Sequence, residues 1–152
     1  MKSDLHNELQ KEGIYWLYKQ GCEFFADEVG YKGEVLDVVG IKKNGDTLLV
    51  EVKATKDDLE KARQEYRFGK FDFQYLLIPE KFLQYVKTGR WDGWGVIVFT
   101  KTQSGGYVNS VIKAKRQDRT SHFTDWIDLI FEVSGKLARE KYFDNFRGKY
   151  EE

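Results

Sequence analysis

The chain has 152 residues, 16% of them aromatic, and its 25 basic and 25 acidic side chains cancel to a formal net charge of zero. That length and aromatic content suit one domain with a real core over residues 1–152, and zero charge excludes a globally basic nucleic-acid binder, leaving only local patches. Cys22 is the one cysteine, which excludes an internal disulfide and a cysteine zinc site, and no apolar run approaches the ~20 residues of a membrane span. A reduced cytoplasmic setting, with no membrane contact and no signal peptide, is expected.

The first element is a helix from Ser3 to Gln20, capped by Ser3 or Asp4 and stopped by Gly21. Leu5, Leu9 and Trp16 share a face, with Glu12 in its middle and Glu8 at its flank. His6 is a candidate phosphate donor. Cys22 to Val29 reads as a strand with Glu28 near its end.

Tyr31 to Thr55 then carries two Val/Leu/Ile-rich runs, Glu34–Ile41 and Thr47–Ala54, around a turn at Asn44-Gly45. Asp37, Glu51 and Lys53 interrupt them. A two-residue turn would pair Asp37 with Val52 and put Asp37 and Glu51 on opposite faces. A three-residue loop, a type I turn followed by Gly45 in the left-handed region, pairs Lys42 with Asp46 and sets Asp37 opposite Glu51. The second register is preferred. It groups Val35, Asp37, Val39, Ile41, Thr47, Leu49, Glu51 and Lys53 on one face, and leaves Leu36, Val38, Leu48, Val50, Val52 and Ala54 on the other. Two carboxylates held that closely repel each other, and a hard divalent cation relieves the repulsion. A neighbouring lysine can hold an attacking water or steady an anionic transition state. Ordinary surface charges on a hairpin are the alternative.

Asp37, a hairpin, then Glu51-Val52-Lys53 resembles the signature of the PD-(D/E)XK nuclease superfamily. The run from Glu51 to Phe82 is similar to the MmcB-like branch of DNA-repair nucleases, with Thr55, Asp58, Tyr66, Asp72, Tyr75 and Pro79 at the matching positions. The sequence departs from that branch at Glu34 and Val35, where it usually has arginines. The resemblance implies an α/β, restriction-endonuclease-like fold with a mixed central sheet flanked by helices on both faces. It implies a nuclease acting on DNA, with RNA not excluded, in repair or processing. Asp37 and Glu51 would bind Mg²⁺ or Mn²⁺ and Lys53 would act on the water or transition state. A further glutamate would complete the catalytic set: Glu12 of the first helix by phase, with Glu8 of that helix and Glu28 at the strand end left open.

The rest of the chain supports that frame. Thr55 and Asp58 read as a helix N-cap pair, and the helix continues to about Phe68. Phe73–Ile78 is a buried-type strand ending at Pro79, followed by a short helix from Glu80 to Lys87. Trp91 to Gly95 is a turn whose tryptophans cover a core edge or stack on bases. Strands Val96–Thr100 and Tyr107–Ala114 flank a loop at Gln103–Gly106. Lys113, Lys115, Arg116 and Arg119 form the candidate nucleic-acid-binding patch. A last helical region begins near Ser121, with Trp126, Ile130, Val133 and Leu137 in helical phase, and 144–152 reads as a frayed tail. No phosphate-cradling loop, His-rich metal motif or G-x-S-x-G elbow competes. A non-catalytic nucleic-acid-binding or assembly module with the same fold is the alternative, and assembly state, a homodimer included, is left open.

Overall fold

The computed structural model describes residues 2–31, 33–61, 71–86, 91–117, 129–130 and 132–140. Helix α1 (Asp4–Lys19) leads into strands β1 (Cys22–Tyr31), β2 (Glu34–Lys42) and β3 (Thr47–Val52). Helix α2 (Lys56–Lys61), β4 (Phe73–Pro79), a 3-10 helix (Glu80–Tyr85), β5 (Gly95–Thr102) and β6 (Gly105–Ile112) follow. Residues 129–130 and 132–140 are helical. The helix expected from Lys56 to Phe68 is described only to Lys61; Tyr66, Trp126 and the 144–152 tail lie outside the described residues.

The strands form one sheet in the order β1-β2-β3-β4-β5-β6. β1, β2 and β3 are an antiparallel meander, β3, β4 and β5 run parallel, and β6 returns antiparallel. The two parallel joins need crossovers, and the segments containing α2 and the 3-10 helix supply them. Leu9, Trp16 and Leu17 of α1 pack on one face with Val38, Val50, Leu77 and Ile97. Leu59 of α2, Trp91, Trp94, Leu129 and Val133 pack on the other with Val39, Leu49, Leu76 and Ile78. The fold is therefore α/β, a mixed sheet with helices on both faces. The tryptophans of the Trp91 turn are buried core.

The β2–β3 turn has the three-residue geometry expected from its sequence. The Lys42 N–H donates to the Asp46 carbonyl at 2.8 Å and the Gly45 N–H to the Lys42 carbonyl at 2.9 Å. Gly45 has φ +93°, which glycine adopts without steric cost. Val38 pairs with Val50 and Ile41 with Thr47, so the same register carried one step further sets Asp37 opposite Glu51.

Two expectations change. Leu36, assigned by alternation to the face of Val38, joins the cluster of Val39 instead. The cause lies on the neighbouring strand. Glu28 has φ +49°, which breaks the pleat of β1, so Ala26 and Val29 point into the same core although they are three residues apart. Their partners Val39 and Leu36 follow them. The last hairpin is also tighter: Thr102 pairs with Gly105, so β6 is 105–112 rather than 107–114.

At the turn end of the sheet, Arg116 ties residues 113–117 to the β2–β3 turn. Its guanidinium makes two hydrogen bonds to the Asp46 carboxylate, at 3.0 and 2.9 Å, and lies 4.7 Å from the centre of the Phe73 ring. The hydrogen bonds hold the Asp46 carboxyl below its ordinary pKa. A carboxylate depressed by folding stabilises above its unfolded pKa and loses that contribution as pH falls through the folded value. Arg116→Ala is expected to cost about 1 kcal/mol at neutral pH, since the arginine is more than half exposed. Thermal melts at descending pH should show the gap between wild type and variant constant down to the ordinary carboxylate range and closing below it.

Candidate active site

Where β2 and β3 part, Asp37 and Glu51 are almost fully buried. Each reaches the other's strand. The Val52 N–H donates to Asp37 Oδ2 at 2.8 Å, and the Asp37 N–H donates to Glu51 Oε1 at 3.5 Å. The side chains thus take over the backbone pairing at the point where the hairpin opens. Lys53, half-buried, follows at once, with its backbone N–H on the Leu77 carbonyl at 3.0 Å. The three residues singled out by spacing share one end of the sheet.

The ion partners of Asp37 come from the N-terminal segment and α1 rather than from Lys53. Lys2 Nζ lies 3.4 Å from Asp37 Oδ1, 3.0 Å from Glu28 Oε1 and 3.3 Å from Gln10 Oε1. Burial opposes the charge on Lys2, but the hydrogen bonds and negative charges of Glu28 and Asp37 outweigh it and raise the ammonium pKa. His6 Nε2 is 3.6 Å from Asp37 Oδ1 and is buried with no hydrogen-bond partner among the described residues. Gln10 also donates to Asp27 Oδ2 at 3.2 Å. Ser3 caps α1 by accepting from the His6 N–H at 3.1 Å, which fixes the first turn beside the site. Lys2, Ser3 and His6 line a polar cleft of about 580 Å³ with Thr55, Asp57 and Asp58. Thr55 caps α2 through the Asp58 N–H at 3.1 Å, the capping role the sequence assigned to that pair.

Glu12 is not part of this group. It lines a separate groove with Tyr15, Lys19 and residues 106–110 of β6. Burial, and then repulsion from Glu8, raise its carboxyl pKa there. Glu8 pairs with Lys101 at 3.6 Å on that same flank of the helix. Gly13 explains the rotation. It brings the helix down onto Val38, Leu77 and Val50, and a Cβ there would meet Val38 at 3.3 Å. The buried face thereby takes in Gln10, Gly13 and Leu17, and puts His6 beside Asp37 and, one turn on, Gln10 against Lys2 and Asp27. Glu28 reaches the site through Lys2. Its strained backbone is held by Lys136, which donates to the Asp27 carbonyl and, at 3.2 Å, to the Glu28 carbonyl. Lys2, Gln10 and Lys136 were missed in the sequence; the i, i+4 spacing of His6 and Gln10 was the one available signal.

Arg116 of the expected basic patch lies at the turn end of the sheet. Arg116 is on Asp46, just before β3, and Glu51 lies roughly 16 Å further along that strand. Arg116 is committed to Asp46 and lies 3.6 Å from Asp72, so it is a structural tie. Lys113 and Lys115 are exposed beside Trp91 and Trp94. Arg119 lies outside the described residues.

The donor set at Asp37 and Glu51 is hard oxygen, and the ammonium of Lys2 already occupies the field of Asp37. This chemistry fits Mg²⁺ or Mn²⁺. Among the described residues no three His, Cys, Asp or Glu side chains converge on one point. A small divalent ion held by two carboxylates, with water and phosphate oxygens completing its shell, requires no third side chain.

No family model matches the chain, and no curated protein matches it. The structure is similar to that of SPO1766, a protein of unknown function from Silicibacter pomeroyi, with a TM-score of 0.73 and 16% identity over 92% of this chain and 90% of that one. At that identity the likeness establishes a shared fold. Among the described residues no helix is long and apolar enough to cross a membrane.

Among the described residues, the Val52 N–H donates to the buried Asp37 carboxylate. Asp37→Ala should strand that buried donor and cost about 1–3 kcal/mol, whereas Asp37→Asn keeps an oxygen in place and should stay much closer to wild type. Urea unfolding of the three proteins without divalent metal measures the difference.

Proposed function

We propose that this protein is a divalent-metal-dependent nuclease of the PD-(D/E)XK type that hydrolyses phosphodiester bonds in DNA, in repair or another processing step, in the reduced cytoplasm. One observation carries the reading: Asp37 and Glu51 are buried together at the open end of a hairpin, each bonded to the other's strand, with Lys53 next in the chain. The order α1, β1, β2, β3, α2, β4 also suits a restriction-endonuclease-like core. Burying two carboxylates side by side opposes folding unless a cation is present. A structural role alone does not require that cost.

Asp37 and Glu51 would hold Mg²⁺ or Mn²⁺, which neutralises phosphate charge and lowers the pKa of bound water. The protein's own groups perform the remaining tasks. Lys53 orients the attacking water or balances charge gathering on the phosphoryl oxygens. His6 lines the adjacent cleft beside Asp37, and the N-terminal end of α1 favours an anion there. Water adds to phosphorus, the bond to the leaving oxygen breaks, and that oxygen takes up a proton.

One observation favours the alternative, a nucleic-acid-binding or assembly module that retains the fold: the Lys2 ammonium already satisfies Asp37 and Glu28. Cleavage assays decide between the two. Single-stranded, duplex and branched DNA and RNA should be tested with Mg²⁺ and Mn²⁺. Metal should raise the wild-type melting temperature and leave Asp37→Asn unmoved. Lys53→Met should fold, bind metal and lose about two or more orders of magnitude in single-turnover cleavage. Wild-type protein that cuts nothing across the panel supports the module.

A further inference from the structure

We propose that the outer edge of β6 is a self-association surface, on which a second copy of this chain lays its own β6 antiparallel and joins the two sheets into one. β6 stands at the opposite edge of the sheet from β1, with β4 and β5 between it and the β2–β3 hairpin, so the proposal does not rest on the nuclease reading. The two edges are finished differently. An edge strand offers unpaired N–H and C=O groups to any strand that can reach them, and folded proteins blunt such edges with charge, kinks or a covering segment. β1 has all three. Glu23, Asp27 and Glu28 place charge along it, Glu28 at φ +49° breaks its pleat, and Lys136 donates to the Asp27 and Glu28 carbonyls. The eight residues of β6 carry no charge and no proline, and they pair with β5 without a break from Gly105 to Ser110. Among the described residues no strand lies beyond β6, and every position in it except Val108 is exposed.

The strand's chemistry selects its own copy as the occupant. Antiparallel self-pairing is isologous, so a charge near the axis would be set beside its twin. β6 has no charge to repel, and the whole chain has zero net charge. Tyr107 and Val111, 48% and 45% exposed, lie two residues to either side of Asn109. A two-fold axis through the Asn109 pair sets each Tyr107 opposite the other copy's Val111, an aromatic against a β-branched side chain, twice over. Ile112, equally exposed, extends that apolar strip. The irregularity in the pairing with β5 falls at Val111, which leaves the centre of the strand regular. On the α1 side, β6 borders a groove of about 390 Å³ that includes Glu12, Tyr15 and Lys19. Strands pair at ~4.8 Å, so an added strand runs alongside that groove and covers Tyr15, now half exposed. Glu12 and Lys19 give the groove one charge of each sign, so it does not repel its own copy. A strand edge and one groove make a small interface, which suits a weak dimer.

The test uses the full chain without metal or nucleic acid, so failure of the nuclease reading leaves the result unaffected. Sedimentation velocity over a dilution series from about 500 to about 1 µM should show a monomer–dimer equilibrium with a Kd of roughly tens of micromolar. Amide hydrogen exchange over 105–112 should slow as the concentration rises. Asn109→Lys and Asn109→Asp each place two like charges at the axis, and each should weaken the dimer about tenfold or more. An equal mixture of the two variants should associate at least as well as wild type, because the axis then holds opposite charges. Position 109 is exposed in the monomer, so both variants should melt near wild type. Tyr107→Thr keeps strand propensity, removes the ring and should weaken the dimer about fivefold. A monomer at every concentration overturns the proposal. So does a dimer indifferent to both Asn109 variants, or a mixture that associates no better than either variant alone. Slow exchange over 105–112 that does not depend on concentration places a segment of the same chain on the edge and also overturns it.

Discussion

Gly45 determines where the candidate site of this protein sits. Its left-handed backbone closes a three-residue loop and sets β2 against β3 in the one register that places Asp37 beside Glu51. A slip of one residue would turn Asp37 to the opposite face and bury the wrong side of β2. The same register puts Val38 and Val50 under α1 and Val39 and Leu49 under the other layer. Core and candidate site therefore depend on a single turn.

The site end of the sheet carries strain and buried charge, and both are supported from outside the hairpin. Glu28, a β-strand residue at φ +49°, is an unfavourable conformation for a non-glycine side chain. Lys136 bonds to the carbonyls of Asp27 and Glu28 and holds that kink from the far end of the chain. Lys2 supplies positive charge to Asp37 and Glu28. These contacts join the N-terminal segment, β1 and the C-terminal helical residues around one acidic spot. Buried like charges oppose folding, and Lys2 beside Asp37 offsets part of that cost.

Much of this was legible in the sequence. Asn44-Gly45 and alternation along two strands gave the hairpin, its register and the meeting of Asp37 with Glu51. Ser3 and Gly21 bounded α1, and Thr55 began α2. The failures share a cause: each required knowing how one element sits on another. The rotation of α1 depends on a contact at Gly13, which hydrophobic phasing treats as blank. Leu36 changes face because of a residue on β1, and alternation within β2 carries no trace of it. Arg116 looked available for phosphate because Asp46, seventy positions earlier, becomes its neighbour only in the folded chain.

The distribution of positive charge narrows how a nucleic acid could approach. Arg116 is taken by Asp46, and the lysines at its side border an apolar pocket at a distance from Asp37. With zero net charge, long-range attraction is weak and affinity has to come from short-range contacts. At the acidic end those contacts are Lys2, His6 and the start of α1, all on one wall of the cleft, while Asp57 and Asp58 oppose them on the other. On the proposed reading, a backbone phosphate would be attracted from the α1 side and repelled from the α2 side. A phosphate entering that way would pass His6 before it reached Asp37 and Glu51. Lys2 stands on that path, paired with Asp37 and Glu28, and a metal ion bound as proposed would have to displace its ammonium.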